Sequence, residues 1–290
     1  MSFPSVLRSA AVTVIAAALF LGPAAEADAA TSADPVPAAK KLATPGLPGV
    51  NDWSCTPSAA HPRPVILVHG TFATGQVWKE TATAYKKAGY CVFALDYGRT
   101  GGLLSLFVGG VGRIAGSAEQ LGVFVDGVLA ATGARQVDLV GHSQGGMMPR
   151  QYMKFEGGAD AVHTLVGISP SNHGTGRSDL APALGALVDV PCPACTDQIH
   201  GSSFLRKLNA GGDTLPGTSY TVIVTAKDKV VVPPTSQFLT GANVDNILLQ
   251  DVCPANGAQH SDSLSDPVAT RLALNALDPE HAVKPACPLG

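Results

Sequence analysis

From residue 64 onward the chain alternates short runs of branched apolar residues with stretches whose apolar positions recur at helical spacing. Val65-Ile66-Leu67-Val68, ending in Gly70, predicts a strand buried on both faces, because no position in the run is polar. A helical stretch follows from about Val77 and stops at Gly89, and Cys91 to Leu95 reads as a second strand. Ser117-Ala118-Glu119-Gln120 has the form of a capping box, so a helix is expected from Ser117 to Gly133. Val137 to Val140 is the next strand, Gln144 to about Glu156 the next helix, and Thr164 to Ile168 another strand. Tyr220–Thr225 and Asn246–Gln250 are strand-like, and a last helix opens at Asp266-Pro267, with Asp as N-cap and Pro at the first helical position. Strands alternating with helices imply an α/β protein: a mostly parallel central sheet with helices on both faces. In such sheets the chemistry lies just beyond the carboxyl ends of the strands.

The first part of the chain follows a different pattern. Arg8 precedes an apolar run from Ala10 to Leu21, and Ala27-Asp28-Ala29 supplies small residues at a cleavage position. This is the form of an export signal over residues 1–29, and the run is shorter than the roughly 20 residues that span a bilayer. No integral membrane segment is expected once it is removed. Residues 30–61 are rich in Pro, Ala and Thr without a helical or strand period, and read as an extended segment leading into a single catalytic domain over 62–290.

Export changes how the cysteines are read. All six (Cys55, Cys91, Cys192, Cys195, Cys253, Cys287) lie beyond the signal, which argues for three disulfides. The pairing expected is Cys55–Cys91, tethering the Pro-rich segment, Cys192–Cys195, and Cys253–Cys287, tying down the tail. Cys192-Pro193-Ala194-Cys195 alone also fits half a zinc site, but no second ligand pair accompanies it. Charged residues are only 14% of the chain and the formal net charge is −3, with no basic stripe. Nucleic acid is therefore not an expected partner, and an uncharged or apolar substrate is.

Gly141-His142-Ser143-Gln144-Gly145 fits G-x-S-x-G, a match that chance also supplies in a chain with 32 glycines. Its position is more telling than its letters. It lies directly between an expected strand and an expected helix, where a strained turn would lift a serine above the sheet and the helix N-terminus would face a developing oxyanion. A serine nucleophile needs a base and the base an orienting acid, in the chain order Ser, acid, His for this arrangement. His260, in a loop between the last strand and the last helix, is the expected base. Asp228, just after the strand Tyr220–Thr225, is the expected acid, with Asp251 as its rival. The oxyanion donors are expected at Gln144 and in the loop His69-Gly70-Thr71-Phe72, with the Thr71 hydroxyl as a further donor. His69 and His142 precede Ser143 and are expected to pack beside the turn.

With these residues in place, the chain resembles the secreted bacterial class 2 lipases and is also similar to the fungal lipase B type. The resemblance rests on Val65 to Phe72, Gly141 to Gly146, Thr225 to Val231 and the region of His260. It implies an α/β-hydrolase with a Ser143–Asp228–His260 triad, an oxyanion hole of Thr71 and Gln144, and ester hydrolysis with no cofactor or metal. The substrate would be an ester or lipid, taken at a lipid–water interface. Lys229 stands where the family has an acidic residue. A polyester depolymerase or cutinase-like enzyme would use the same triad, and a binding protein on an inactive scaffold is a third possibility. The apolar segments Gly101 to Gly110 and Leu180 to Val190 are candidates for a lid or an acyl-chain wall.

Overall fold

In the computed structural model, Met1 and residues 34–100, 107–176 and 191–287 are described. The export signal, residues 101–106 of the first lid candidate and the whole of the second lie outside the described residues. The four-residue run Val65–Val68 forms β1, and Val92–Leu95 forms β2. Val137–His142, Val162–Ile168, Ser219–Val224 and Val244–Leu248 are β3 to β6. Together they make one sheet in the order β2-β1-β3-β4-β5-β6, every pairing parallel. The chain builds outward from β1 to β2, then returns to the other side of β1 for β3 and beyond. That reversal opens a crevice between the carboxyl ends of β1 and β3, the place where such sheets bind ligands.

Each strand sends alternate side chains to opposite faces, and both faces are covered. Ile66, Val68, Phe93, Leu139 and Val222 pack with Leu121, Phe124, Met147 and Tyr152. Val65, Leu67, Val92, Val166 and Ile223 pack on the other side with Trp78, Tyr85, Val268 and Ala273. This is why the strands read as unbroken apolar runs. Burial of each such side chain stabilises the fold by roughly 1.5–3 kcal/mol.

The helices are α1 (Val36–Leu42), α2 (Ala82–Lys87), α3 (Ile114–Thr132) and α4 (Gln144–Phe155). Further along come α5 (Pro193–Asp197), α6 (Ser203–Asn209), α7 (Leu249–Val252) and α8 (Pro267–Leu277). The N-cap of α8 is as expected, the Asp266 carboxylate accepting from the Ala269 N–H at 2.9 Å. Four expectations are corrected. First, the segment 30–61 is not wholly extended: α1 forms there because Ala39 fits against Gly127 of α3, where an added Cβ would lie 2.2 Å from that of Ala39. The residues of α1 are good helix formers, with Pro in the first turn and Lys40 and Lys41 in the last, and packing fixes where the helix sits. Second, α3 begins at Ile114 rather than at a Ser117 cap. Its first turn is capped from a distance by Asp197, which accepts from the Ile114 N–H at 3.1 Å and pairs with Arg113 at 2.8 Å. Third, the stretch from Val77 splits into a 3₁₀ turn, Gly75–Trp78, and the short α2. Fourth, Leu249 and Gln250 have left the last strand and open α7.

Helix α3 is long and apolar enough by composition to cross a bilayer. It lies instead against the sheet, with Ile114, Leu121, Phe124 and Val128 buried. The three disulfides join Cys55 to Cys91, Cys192 to Cys195 and Cys253 to Cys287, the pairing expected. The first fixes the N-terminal arm beside β2, where Trp53 packs edge-on against Phe93 and Phe124.

Candidate active site

Ser143 occupies the single residue between β3 and α4, with φ of 56°. A non-glycine residue in this region is strained, and here the surroundings hold it there. Its N–H donates to the Ile168 carbonyl at 2.9 Å, and its carbonyl accepts from the Gly146 N–H at 2.9 Å. The flanking glycines are required by backbone crowding. A Cβ on Gly141 would lie 1.8 Å from the Gly145 carbonyl oxygen, and one on Gly145 would lie 2.2 Å from that of Val68.

The Ser143 hydroxyl is 3.0 Å from His260 Nε2, and His260 Nδ1 is 2.7 Å from Asp228 Oδ2. His260 comes from the loop after β6 and Asp228 from the turn after β5, so the sheet edge brings three distant residues into one line. The rival acid, Asp251, is exposed at the start of α7. Asp228 is buried, which by itself would push its carboxyl pKa up. The hydrogen bond and charge of His260 and the Val231 and Val230 N–H groups on Oδ1 outweigh burial and hold it below the ordinary carboxylate value. Gln237 adds a third side, its Nε2 donating to Asp228 Oδ2 at 3.0 Å. Asp228 therefore stays an anion facing the imidazole.

The other histidines of this region brace the line. His142 donates from Nε2 to the His260 carbonyl at 2.9 Å, and the Ser263 hydroxyl donates to the same oxygen at 2.7 Å. Burial and the neighbouring His260 press the His142 pKa down to about 3, so it remains neutral. His69 is also fully buried and its pKa falls to about 4, again through burial. It accepts from the Tyr97 N–H at Nε2 and donates from Nδ1 to the Gly70 carbonyl, which satisfies one neutral tautomer completely. Both pack beside the elbow.

Opposite the imidazole, Thr71 follows β1 and its hydroxyl donates to Gln144 Oε1 at 2.7 Å. The backbone N–H of Gln144 opens α4, among the donors that have no intrahelical acceptor. Phe72, at φ of 59°, turns the loop after Thr71 and lines the same cavity as the serine. Between these groups is a cavity of about 350 Å³. Thr71, Ser143 and His260 line it beside the apolar Phe72, Val77, Val230, Val231 and Leu264.

Gln198 also lines this cavity and was not anticipated from the sequence. It caps the C-terminus of α5, the short helix whose first turn the Cys192–Cys195 bridge closes, and donates from Nε2 to Thr71 Oγ1 at 3.0 Å. A glutamine in a loop carries no chemical signature, so only the folded arrangement reveals it. Gln237, behind Asp228, was missed for the same reason. Among the described residues no group of three His, Cys, Asp or Glu side chains is placed to hold a metal ion.

The model of the lipase (class 2) family matches residues 62–273. Triacylglycerol lipases of Pseudarthrobacter phenanthrenivorans and Burkholderia plantarii are each 39% identical to this chain over 98 residues, or 32% of it. Those residues span 28% and 25% of the two relatives, so the match reaches under a third of either. Among solved structures, Aspergillus fumigatus lipase B superposes with a TM-score of 0.66 at 24% identity, covering 83% of this chain and 56% of that one. The mature form of a Bacillus licheniformis lipase gives 0.57 at 16% identity, covering 76% and 94%. At such identities the likeness is one of fold, and the fold is that of the α/β-hydrolases.

Proposed function

The chain belongs to the lipase (class 2) family, and from that premise we propose that it is a secreted carboxylic ester hydrolase using Ser143 as nucleophile. The observation that carries the proposal is the line Ser143–His260–Asp228, with spacings of 3.0 and 2.7 Å, at the wall of an apolar cavity. His260 takes the proton of Ser143 as its oxygen attacks the ester carbonyl. The oxyanion of the tetrahedral intermediate is received by the Gln144 N–H and by Thr71. His260 then gives its proton to the leaving alcohol, and the acyl group stays on Ser143. Water, deprotonated by His260, attacks the acyl-enzyme and releases the acid. Asp228 keeps the imidazole in the tautomer with a proton on Nδ1 and stabilises its charged form.

The lining of Phe72, Val77, Val230, Val231 and Leu264 favours an apolar acyl group of medium or greater length, taken from a lipid or its aggregate. Three disulfides fit an oxidising compartment, in line with export. Hydrolysis of p-nitrophenyl esters from acetyl to palmitoyl, with emulsified triglyceride alongside, tests both parts. Activity on the longer esters, abolished by Ser143→Ala, is expected. Activity confined to acetyl and butyryl esters would remove the lipase assignment, and activity surviving Ser143→Ala would remove the nucleophile.

A further inference from the structure

Resting on the reading of Ser143 as nucleophile, the geometry points to Gln198 as a positioning residue that lets the Thr71 hydroxyl serve as an oxyanion donor. In the free protein that hydroxyl is already committed, donating to Gln144 Oε1 at 2.7 Å. To reach an oxyanion it must turn away, and the buried Gln144 oxygen would then lose a partner, a cost charged against the transition state.

Gln198 removes that cost. Its Nε2 lies 3.0 Å from Thr71 Oγ1, 3.1 Å from Gln144 Oε1 and 3.2 Å from the Ala194 carbonyl. The Ala194 carbonyl can only accept, so the amide nitrogen, not its oxygen, must face this side. The Ser171 hydroxyl donates to Gln198 Oε1 at 2.8 Å and holds the other end. With the nitrogen so fixed, the Gln144 atom beside it must be the acceptor oxygen. One amide hydrogen then serves Ala194, and the second falls between Thr71 Oγ1 and Gln144 Oε1.

When the Thr71 proton swings to the oxyanion, that second hydrogen remains on Gln144 Oε1 and no buried oxygen is orphaned. Shared between the two oxygens in the free protein, the same N–H also polarises the Thr71 hydroxyl. Gln198 is 3% exposed, which holds its amide in place at the cavity wall. Its backbone is held as firmly: the carbonyl accepts from the Thr175 N–H at 3.0 Å and the N–H donates to Ala194 at 3.1 Å. The end of α5 therefore does two jobs, capping α3 through Asp197 and seating Gln198 against the oxyanion loop.

The test is a double-mutant cycle on ester hydrolysis with Gln198→Met, which keeps the length and removes the amide, and Thr71→Val. Gln198→Met should lower kcat about tenfold, the scale of one hydrogen bond, and leave KM within about twofold. Thr71→Val should lower kcat about a hundredfold, as loss of an oxyanion donor does. In the Thr71→Val background Gln198→Met should change kcat by less than about twofold, since the hydroxyl it serves is gone. Gln198→Asn, whose amide falls short of Thr71, should reproduce the kcat loss and covers the case in which the Met variant does not fold. Full kcat in Gln198→Met or Gln198→Asn, or an equal loss in both backgrounds, overturns the proposal. Wild type and Ser143→Ala run beside them separate the layers: an inert wild type overturns the nucleophile reading and this inference together. An active wild type silenced by Ser143→Ala, with Gln198→Met unimpaired, overturns the inference alone.

Discussion

Gly145→Ala adds one methyl group at the first turn of α4, where alanine is intrinsically favoured over glycine by about 1 kcal/mol. On propensity alone the variant should be more stable. The surroundings reverse that expectation. The new Cβ would stand 2.2 Å from the Val68 carbonyl oxygen and 2.3 Å from that of His69, and contacts under 3.0 Å essentially never occur. The helix must therefore retreat by about 0.8 Å from the end of β1, the difference between 3.0 and 2.2 Å. Both neighbours are backbone, so no side chain can swing aside. Overpacking of this kind costs about 1–3 kcal/mol, more than the propensity gain. The retreat also carries the Gln144 N–H and the Ser143 backbone away from Thr71, and a displacement near 1 Å at reacting groups costs about a hundredfold in rate. Thermal unfolding should show a lower Tm, and p-nitrophenyl butyrate hydrolysis a kcat lower by one to two orders of magnitude. A variant with unchanged Tm and kcat within about threefold of wild type would refute the argument from crowding at the elbow.

Three other outcomes follow from named contacts. Asp228→Asn preserves shape but favours the wrong imidazole tautomer, and kcat should fall by about four orders of magnitude; a loss under tenfold would contradict the role given to Asp228. Arg150, buried in α4, pairs with Asp213 at 3.2 Å and donates to Asn209 at 2.7 Å; Arg150→Met leaves that carboxylate short of its cation and should destabilise by about 3–5 kcal/mol in urea unfolding. Stability unchanged within experimental error would contradict this. His173 bridges Asp213 and the Ser236 carbonyl, and the bond to Asp213 raises its pKa above the ordinary 6.5. A raised value means the stabilisation is complete below about pH 6.5 and fades as pH climbs through the folded-state value. The stability difference between wild type and His173→Gln should thus be larger at pH 5.5 than at pH 9, and the reverse ordering would refute it.

The parts of the fold legible in sequence were those set by local pattern. Val65 to Val68 announced a doubly buried strand, and the seat of Ser143 between strand and helix gave its motif meaning despite the abundance of glycine. That Asp228 and His260 would meet Ser143 was legible because a parallel sheet gathers its strand ends at one edge, and each follows a strand or lies in the loop beyond one. What escaped was decided by distant partners. The start of α3 is set by Asp197, which lies 83 residues from Ile114 and overrides the local cap signal at Ser117. Helix α1 takes its seat from the groove at Gly127, a partner that its own short run of helix formers does not name. Gln198 acquires its place only when the end of α5 folds against Thr71.

The central claim is that Ser143 is a nucleophile activated by His260 and Asp228, and covalent labelling tests it most directly. A fluorophosphonate probe, followed by peptide mass mapping, should add one phosphonyl group to the peptide containing Ser143. Labelling should be absent in Ser143→Ala and strongly slowed in His260→Ala. A probe adduct on another residue, or equal labelling of wild type and Ser143→Ala, would contradict the account.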